Sequence, residues 1–241
     1  MNAHALLDSN THRALRVRTD ASADLGDAVM TALAMPTEFR QVQAHYPIVF
    51  RRDLTTGSFS ALALFGFETG ENLFLADGRW DAAFRPLAHR VTPFLIGAAA
   101  AADGAAQVHI DLAHPRVTMA ADGSGIALFD VDGRPTPLLE SIAQDLGDLD
   151  GAYKNSMGFF AALERHDLLE PFTLEVPLAD GSKHSLVGFH IIAEDRLRSL
   201  DASDLGALHA DDHLMPIFMA MASISQFSAL VSRRNARLAH G

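Results

Sequence analysis

Apolar positions follow two patterns in this chain: short unbroken runs in the first part and helically spaced stripes in the second half. Phe59 to Phe67 is an apolar run broken only by Ser60, which predicts a strand covered on both faces. Ile48 to Phe50 begins another strand. It follows a helix that has Pro36 in its first turn, carries Phe39 and Val42 on its apolar face, and is stopped by Pro47. Asp-Gly punctuates the chain at Asp77, Asp103, Asp122, Asp132 and Asp180. The pair tolerates the positive φ of tight turns, so between apolar runs it predicts hairpins. The clearest joins Phe172–Val176 to Leu186–Ile192 as antiparallel strands, and Ile126–Val131 is a further strand candidate.

Leu138, Ile142, Leu146 and Leu149 share one face of a predicted helix, and Phe159, Phe160, Leu163 and Leu168 belong to a second that ends by Pro171. A last helix is expected from about Leu214 to Leu230. Asp211 and Asp212 cap its start, Pro216 lies in its first turn, and Arg233, Arg234 and Arg237 suit the negative end of its dipole. It is apolar around most of its circumference, as in a helix central to its own domain; a homodimer seam is the alternative reading. Residues 1–35 show no firm period beyond a weak helical pattern over Ala21–Leu33, and are expected to form a flexible N-terminal arm. Residues 36–241 are then a single α+β domain. Its sheet is mixed and mainly antiparallel, with hairpins in the N-terminal and middle parts, and its helices concentrate in the C-terminal half.

With 241 residues, 49% of them hydrophobic, the chain can bury a substantial core. Its 19 basic and 30 acidic side chains give a net charge of -11, which opposes attraction to phosphate and argues against nucleic-acid or anionic-membrane partners. The absence of cysteine excludes disulfides, Cys-based zinc sites and thiolate catalysis. The first twenty residues contain no continuous apolar segment of the secretory kind, so a cytoplasmic protein is expected. The longest apolar run, Val91–Ala102, is shorter than the ~20 residues a bilayer requires, so no membrane insertion is expected.

The densest chemistry lies in His45-Tyr46-Pro47-Ile48-Val49-Phe50, Gly70-Glu71-Asn72-Leu73-Phe74 and Asp77-Gly78-Arg79-Trp80-Asp81. Tyr46 and Trp80 offer flat faces with a polar edge, and His45, Glu71, Asn72 and Arg79 could orient a ligand by hydrogen bonds. These six are the candidate ligand-binding residues. The competing structural reading makes Trp80 a core plug, Glu71 and Asn72 turn formers and His45 a helix end.

These segments resemble the SapC family of bacterial proteins. Pro93-Phe94-Leu95, Ala127-Leu128-Phe129-Asp130-Val131-Asp132-Gly133, Leu186-Val187-Gly188-Phe189-His190 and Met221-Ala222-Ser223-Ile224 extend the resemblance from about Met35 to Arg234. The family name refers to a bacterial surface layer, and no activity, cofactor or catalytic residue comes with it. The resemblance implies a protein partner, either a flavin-dependent halogenase-like enzyme or an export component.

A second chemistry starts from His109-Ile110-Asp111. Alternation in a strand points His109 and Asp111 the same way, as two ligands of a two-His-one-carboxylate Fe(II) site would be, with His190 or His184 as the third. Arg196 or Arg198 could then hold a 2-oxoglutarate carboxylate. SapC relatives usually carry an apolar residue or Cys where His109 stands, which weighs against iron. No His-Glu-x-x-His pair, phosphate loop or nucleophile elbow is present. The function expected is an accessory or binding protein without catalysis or cofactor of its own, acting with a separate enzyme or export partner on a peptide, amino-acid or surface-polymer substrate. A non-haem Fe(II) oxygenase and a surface-layer component are the alternatives.

Overall fold

Asp77 and Gly78 both adopt positive φ, 50° and 72°, and turn the chain between two short strands as the sequence predicts. Gly133 does the same at 80° after Asp132; the turns at Asp103, Asp122 and Asp180 lie outside the described residues. The computed structural model describes residues 4–97, 107–119, 123–177 and 183–240. In chain order the strands are β1 (His4–Leu6), β2 (Arg16–Val17), β3 (Thr31–Leu33), β4 (Ile48–Arg52), β5 (Phe59–Leu64), β6 (Leu75–Ala76) and β7 (Arg79–Trp80). They continue as β8 (Phe94–Gly97), β9 (Gln107–Asp111), β10 (Val117–Thr118), β11 (Ile126–Ala127), β12 (Leu169–Pro177) and β13 (Lys183–Ile192). The helices are α1 (Phe39–Val42), α2 (Leu87–Arg90), α3 (Pro137–Arg165), α4 (Glu194–Arg198), α5 (Ala202–Ala210), α6 (Leu214–Ser223) and α7 (Gln226–His240). The protein is α+β, with antiparallel sheets and helices mostly in the C-terminal half.

The chain divides into two compact units where the sequence suggested one domain. The smaller comprises Met1–Ala28, Leu75–Trp80 and Leu87–Gly151. Its sheets are β1-β9-β8, β10-β2-β11 and the β6-β7 hairpin, packed around Val17, Val91, Phe94, Ile110, Leu128, Ile142 and Leu146. The expected flexible arm is therefore corrected: β1 pairs with β9 and β2 with β10 and β11, while Leu15, Val17 and Leu25 are buried. Strands this short have no readable period, and their partners lie about a hundred residues downstream. The weak helix over Ala21–Leu33 is likewise replaced by a single 3-10 turn, Ala23–Leu25, and by β3.

The larger unit comprises Val29–Phe74, Asp81–Pro86 and Ala152–Gly241. Its antiparallel sheet runs β12-β13-β4-β5-β3. Strand β5 lies between β4 and β3, and its successive residues Ala61, Leu62, Ala63 and Leu64 are all buried, as is Phe65 after them, so both faces of the strand are covered as its apolar run predicts. Phe39, Phe50 and Phe159 meet edge to face, at 6.5 Å and 6.0 Å, which suits the ring quadrupoles. The buried Ser223 hydroxyl donates to the Ala220 carbonyl (2.6 Å) and accepts the Ile48 N–H (2.8 Å), joining α6 to β4.

Two helical expectations change. The two predicted middle helices are one 29-residue helix, α3, which carries Gly147, Gly151 and Gly158 without a break. The predicted last helix is two, α6 and α7, separated by a turn at Ile224 and Ser225. Length and composition alone would let Leu214–Ala239 cross a bilayer; in this fold Ile217, Ala220, Phe227 and Leu230 are buried, and Met215 and Phe218 are exposed.

Candidate functional site

Helix α1 closes with the Tyr46 N–H on the Val42 carbonyl (2.9 Å), delivering the Tyr46 ring to the core. Tyr46 is fully buried, edge-on to Phe65 (5.0 Å) and Phe74 (4.7 Å), and its hydroxyl donates to the Phe84 carbonyl at 2.5 Å. Glu71 is also buried: one oxygen accepts the Phe67 N–H (2.8 Å) and the other takes Arg234. The Asn72 side chain accepts the Phe74 N–H (2.9 Å), and its backbone carbonyl accepts Arg237 (2.8 Å). Arg234 also reaches Glu68 (3.0 Å), and Arg233 pairs with Asp81 (2.6 Å) while lying over the Phe74 ring (4.4 Å). Glu71 and Asn72 thus latch α7 onto the loop after β5, while Tyr46 ties the end of α1 to Phe84; the α7 arginines make specific pairs beyond the dipole effect expected of them. His45 is half-buried beside Tyr46.

Arg79 and Trp80 belong to the smaller unit. Arg79 is exposed. The Trp80 ring lies 5.0 Å from His89, whose Nε2 is 3.1 Å from Asp27. Arg116 Nη2 lies 2.6 Å from each Asp27 oxygen, and Ser22 N–H adds a third bond at 2.8 Å. Burial raises the Asp27 pKa, but His89, Arg116 and Ser22 outweigh it and bring it down to about 2. His114, whose Nδ1 accepts the Arg116 N–H (3.2 Å), is held below the usual histidine range by burial and by the Arg116 charge. The arrangement is a charge-compensated knot, with Asp27 acceptor sites taken by Arg116, His89 and Ser22.

His109 and Asp111 lie on β9, the central strand of its sheet. The His109 ring covers Gly97, where an added Cβ would come within 2.2 Å of it. The Asp111 carboxylate accepts the Ala113 N–H (3.0 Å) and lies 3.9 Å from His4. His190 lies on β13 in the larger unit, its ring 5.0 Å from Phe59, and the His184 side chain is outside the described residues. Arg196 donates to the His166 carbonyl (3.0 Å), and Arg198 pairs with Glu194 and Asp195. Among the described residues no group of three His, Cys, Asp or Glu side chains is placed to hold a metal ion.

Among the described residues, two grooves stand out on the larger unit. The first, about 470 Å³, lies between the β3–β5 edge of the sheet and α3. From α3 it takes Tyr153, Ser156, Met157, Phe160, Ala161 and Glu164, the three-and-four spacing of one helix face. Leu33, Phe59 and Asp53 complete it; Leu33, Tyr153 and Met157 are exposed at 41%, 60% and 61%. Asp53 accepts the N–H groups of Thr56 and Thr55, which hold its pKa below the usual carboxylate value.

Strand β3 is an edge, and its register leaves hydrogen-bonding capacity. The Ala34 N–H donates to Ala61 (3.0 Å) and the Phe65 N–H to Met30 (2.7 Å). Met30, Ala32 and Ala34 therefore face β5, and the backbone groups of Thr31 and Leu33 point away from it.

The second groove, about 450 Å³, is lined by Pro36, Thr37, Phe39 and Arg40, by Asn155 and Phe159, by Asp211, Asp212 and His213, and by Met215, Pro216 and Met219. The expectation that Asp211 and Asp212 cap the following helix is corrected. His213 holds the N-cap position of α6 with no side-chain bond. Asp212, at φ 58°, instead ends α5: its N–H bonds to His209 (3.1 Å) and that of His213 to Leu208 (2.8 Å), the paired bonds of a left-handed helix stop.

The family model described as SapC matches residues 7–230. The chain belongs to the SapC family. No curated protein and no solved structure matches it. Within this SapC chain the knot at Asp27 and both grooves escaped sequence reading, because their residues are separated by tens of positions. The one available signal was α3 itself, whose Tyr153, Met157 and Glu164 repeat at helical spacing outside the residues assigned to the core.

Proposed function

We propose that this SapC protein is an accessory binding protein without catalysis of its own, which receives an extended basic segment of a partner protein along β3. The partner's backbone adds a strand to the sheet, its apolar side chains enter the groove beside α3, and its lysines or arginines face Asp53 and Glu164. The observation that carries this reading is the outward-facing backbone of Thr31 and Leu33 beside that groove. Natural proteins usually cover, charge or shorten an exposed sheet edge, and strand addition is a general mode of peptide capture. The charged residues lining the groove, Asp53 and Glu164, are both acidic. Arg52 is close by, but it donates to the Gly57 carbonyl and lies over the Phe59 ring.

The test uses the full chain and an alternating Val-Lys peptide, followed by amide chemical shifts and by calorimetry. Binding should move the Thr31 and Leu33 amides. Leu33→Pro removes an outward N–H without touching a bond to β5, and Glu164→Lys reverses the charge; each should weaken binding about tenfold or more. Equal binding by wild type and both variants, or substrate turnover by the purified protein that depends on a single residue, overturns the proposal.

A further inference from the structure

We infer that the second groove is a binding site for a small apolar zwitterion, a free amino acid or a peptide of two or three residues with both ends uncapped. The inference goes beyond the partner surface, because it concerns a different groove and a soluble ligand. Opposite charges line this groove without neutralising one another. Among the described residues Arg40 has no carboxylate within ion-pairing distance, and Asp211 and Asp212 have no cation. A simple anion entering the groove meets the two aspartates, and a simple cation meets Arg40. A molecule carrying both charges satisfies both, with its carboxylate on the planar Arg40 fork and its ammonium on the aspartates.

Between the charges the groove is apolar and adaptable. Phe159, Met215 and Met219 contribute a ring and two flexible thioethers, suited to side chains of varied shape. The His213 ring lines the groove and its buried Nδ1 has no hydrogen-bond partner, so a turn of the ring toward the groove would let a ligand's N–H or carbonyl satisfy it according to its tautomer. The volume, about 450 Å³, lies within the range of small-ligand sites. The residues stay separate from the strand-addition groove, so binding here needs no partner protein.

The experiment is calorimetry on the full chain with phenylalanine and the dipeptide Ala-Phe, each compared with its N-acetylated and C-amidated forms. At least one uncapped compound should bind, and each cap should weaken it about tenfold or more. Arg40→Gln should remove the sensitivity to amidation, and the double change Asp211→Asn with Asp212→Asn the sensitivity to acetylation. Asparagine tolerates the left-handed backbone at 212, and all three side chains are exposed, so the variants should melt as wild type does. Failure of both uncapped compounds to bind at millimolar concentration, or equal affinity for capped and uncapped forms, overturns the inference. Either result leaves the β3 proposal standing, because Leu33→Pro and Glu164→Lys alter only the other groove.

Discussion

Arg116 reaches across 89 positions of sequence to place one nitrogen 2.6 Å from both oxygens of Asp27. Both side chains are almost wholly excluded from solvent, at 6% and 1% exposure, so each depends on the other for compensation. Asp27→Asn leaves Arg116 without its counter-charge and should destabilise the protein by about 3–5 kcal/mol, read by urea unfolding. Because the Asp27 pKa falls from 3.8 to about 2 on folding, its contribution is complete above pH 3.8 and lost as pH falls through 2. It amounts to about 2 kcal/mol and should vanish in the variant's acid titration.

Glu71 joins the loop after β5 to Arg234 of α7. Glu71→Ala removes that pair and the acceptor for the Phe67 N–H together. The expected loss is about 2–4 kcal/mol, with faster amide exchange across residues 226–240 than across α3. Unchanged protection of that helix would contradict the latch.

Tyr46→Phe keeps the aromatic contacts and deletes only the hydroxyl bonded to Phe84. The Phe84 carbonyl then loses a donor inside the core, at about 1–2 kcal/mol. The measurement is the denaturant midpoint at constant m value.

Gly97→Ala would drive a methyl group into the His109 ring, which is half-buried and must swing aside, so it should be destabilising. In a His109→Ala background the same change should become nearly neutral, and a double-mutant cycle reports the coupling directly. Equal cost in both backgrounds would show that the ring does not occupy this space.

His190 is held below the usual histidine pKa by burial and then by the Arg52 charge. The unfolded chain therefore takes up the proton first. Stability from this residue is intact above pH 6.5 and declines as pH falls toward the folded-state value. His190→Gln should flatten the melting-temperature profile below pH 6.5.

Elements with a local cause were the readable ones. The β12–β13 hairpin, the doubly covered β5 and the Pro36 helix start all follow from neighbouring residues. The first 35 residues could not be read this way, since β1 and β2 exist only through strands about a hundred positions away. The break expected before Phe159 was also misplaced: three glycines, at about 1 kcal/mol each relative to alanine, do not interrupt α3. At the candidate site, concentration of unusual residues marked Tyr46, Glu71 and Asn72, but it did not distinguish a pocket from a latch. Their polar atoms meet Phe84, Arg234 and Phe74, at sequence separations that no local spacing rule covers.

Phe159 and Phe160 are neighbours on α3, and each lines a different groove. Their rings lie 5.5 Å apart, and Phe159 also meets His213 at 5.7 Å. If filling one groove turns Phe159, the Phe160 wall of the other must respond. Were both proposed sites filled in this way, their occupancies would be linked, and linkage is reciprocal: the factor by which a zwitterion changed the partner's affinity would equal the factor by which the partner changed the zwitterion's. Adjacent aromatic residues on one helix would then make a protein with both proposed sites a two-input device, reporting the supply of a small molecule as the strength of its grip on another chain.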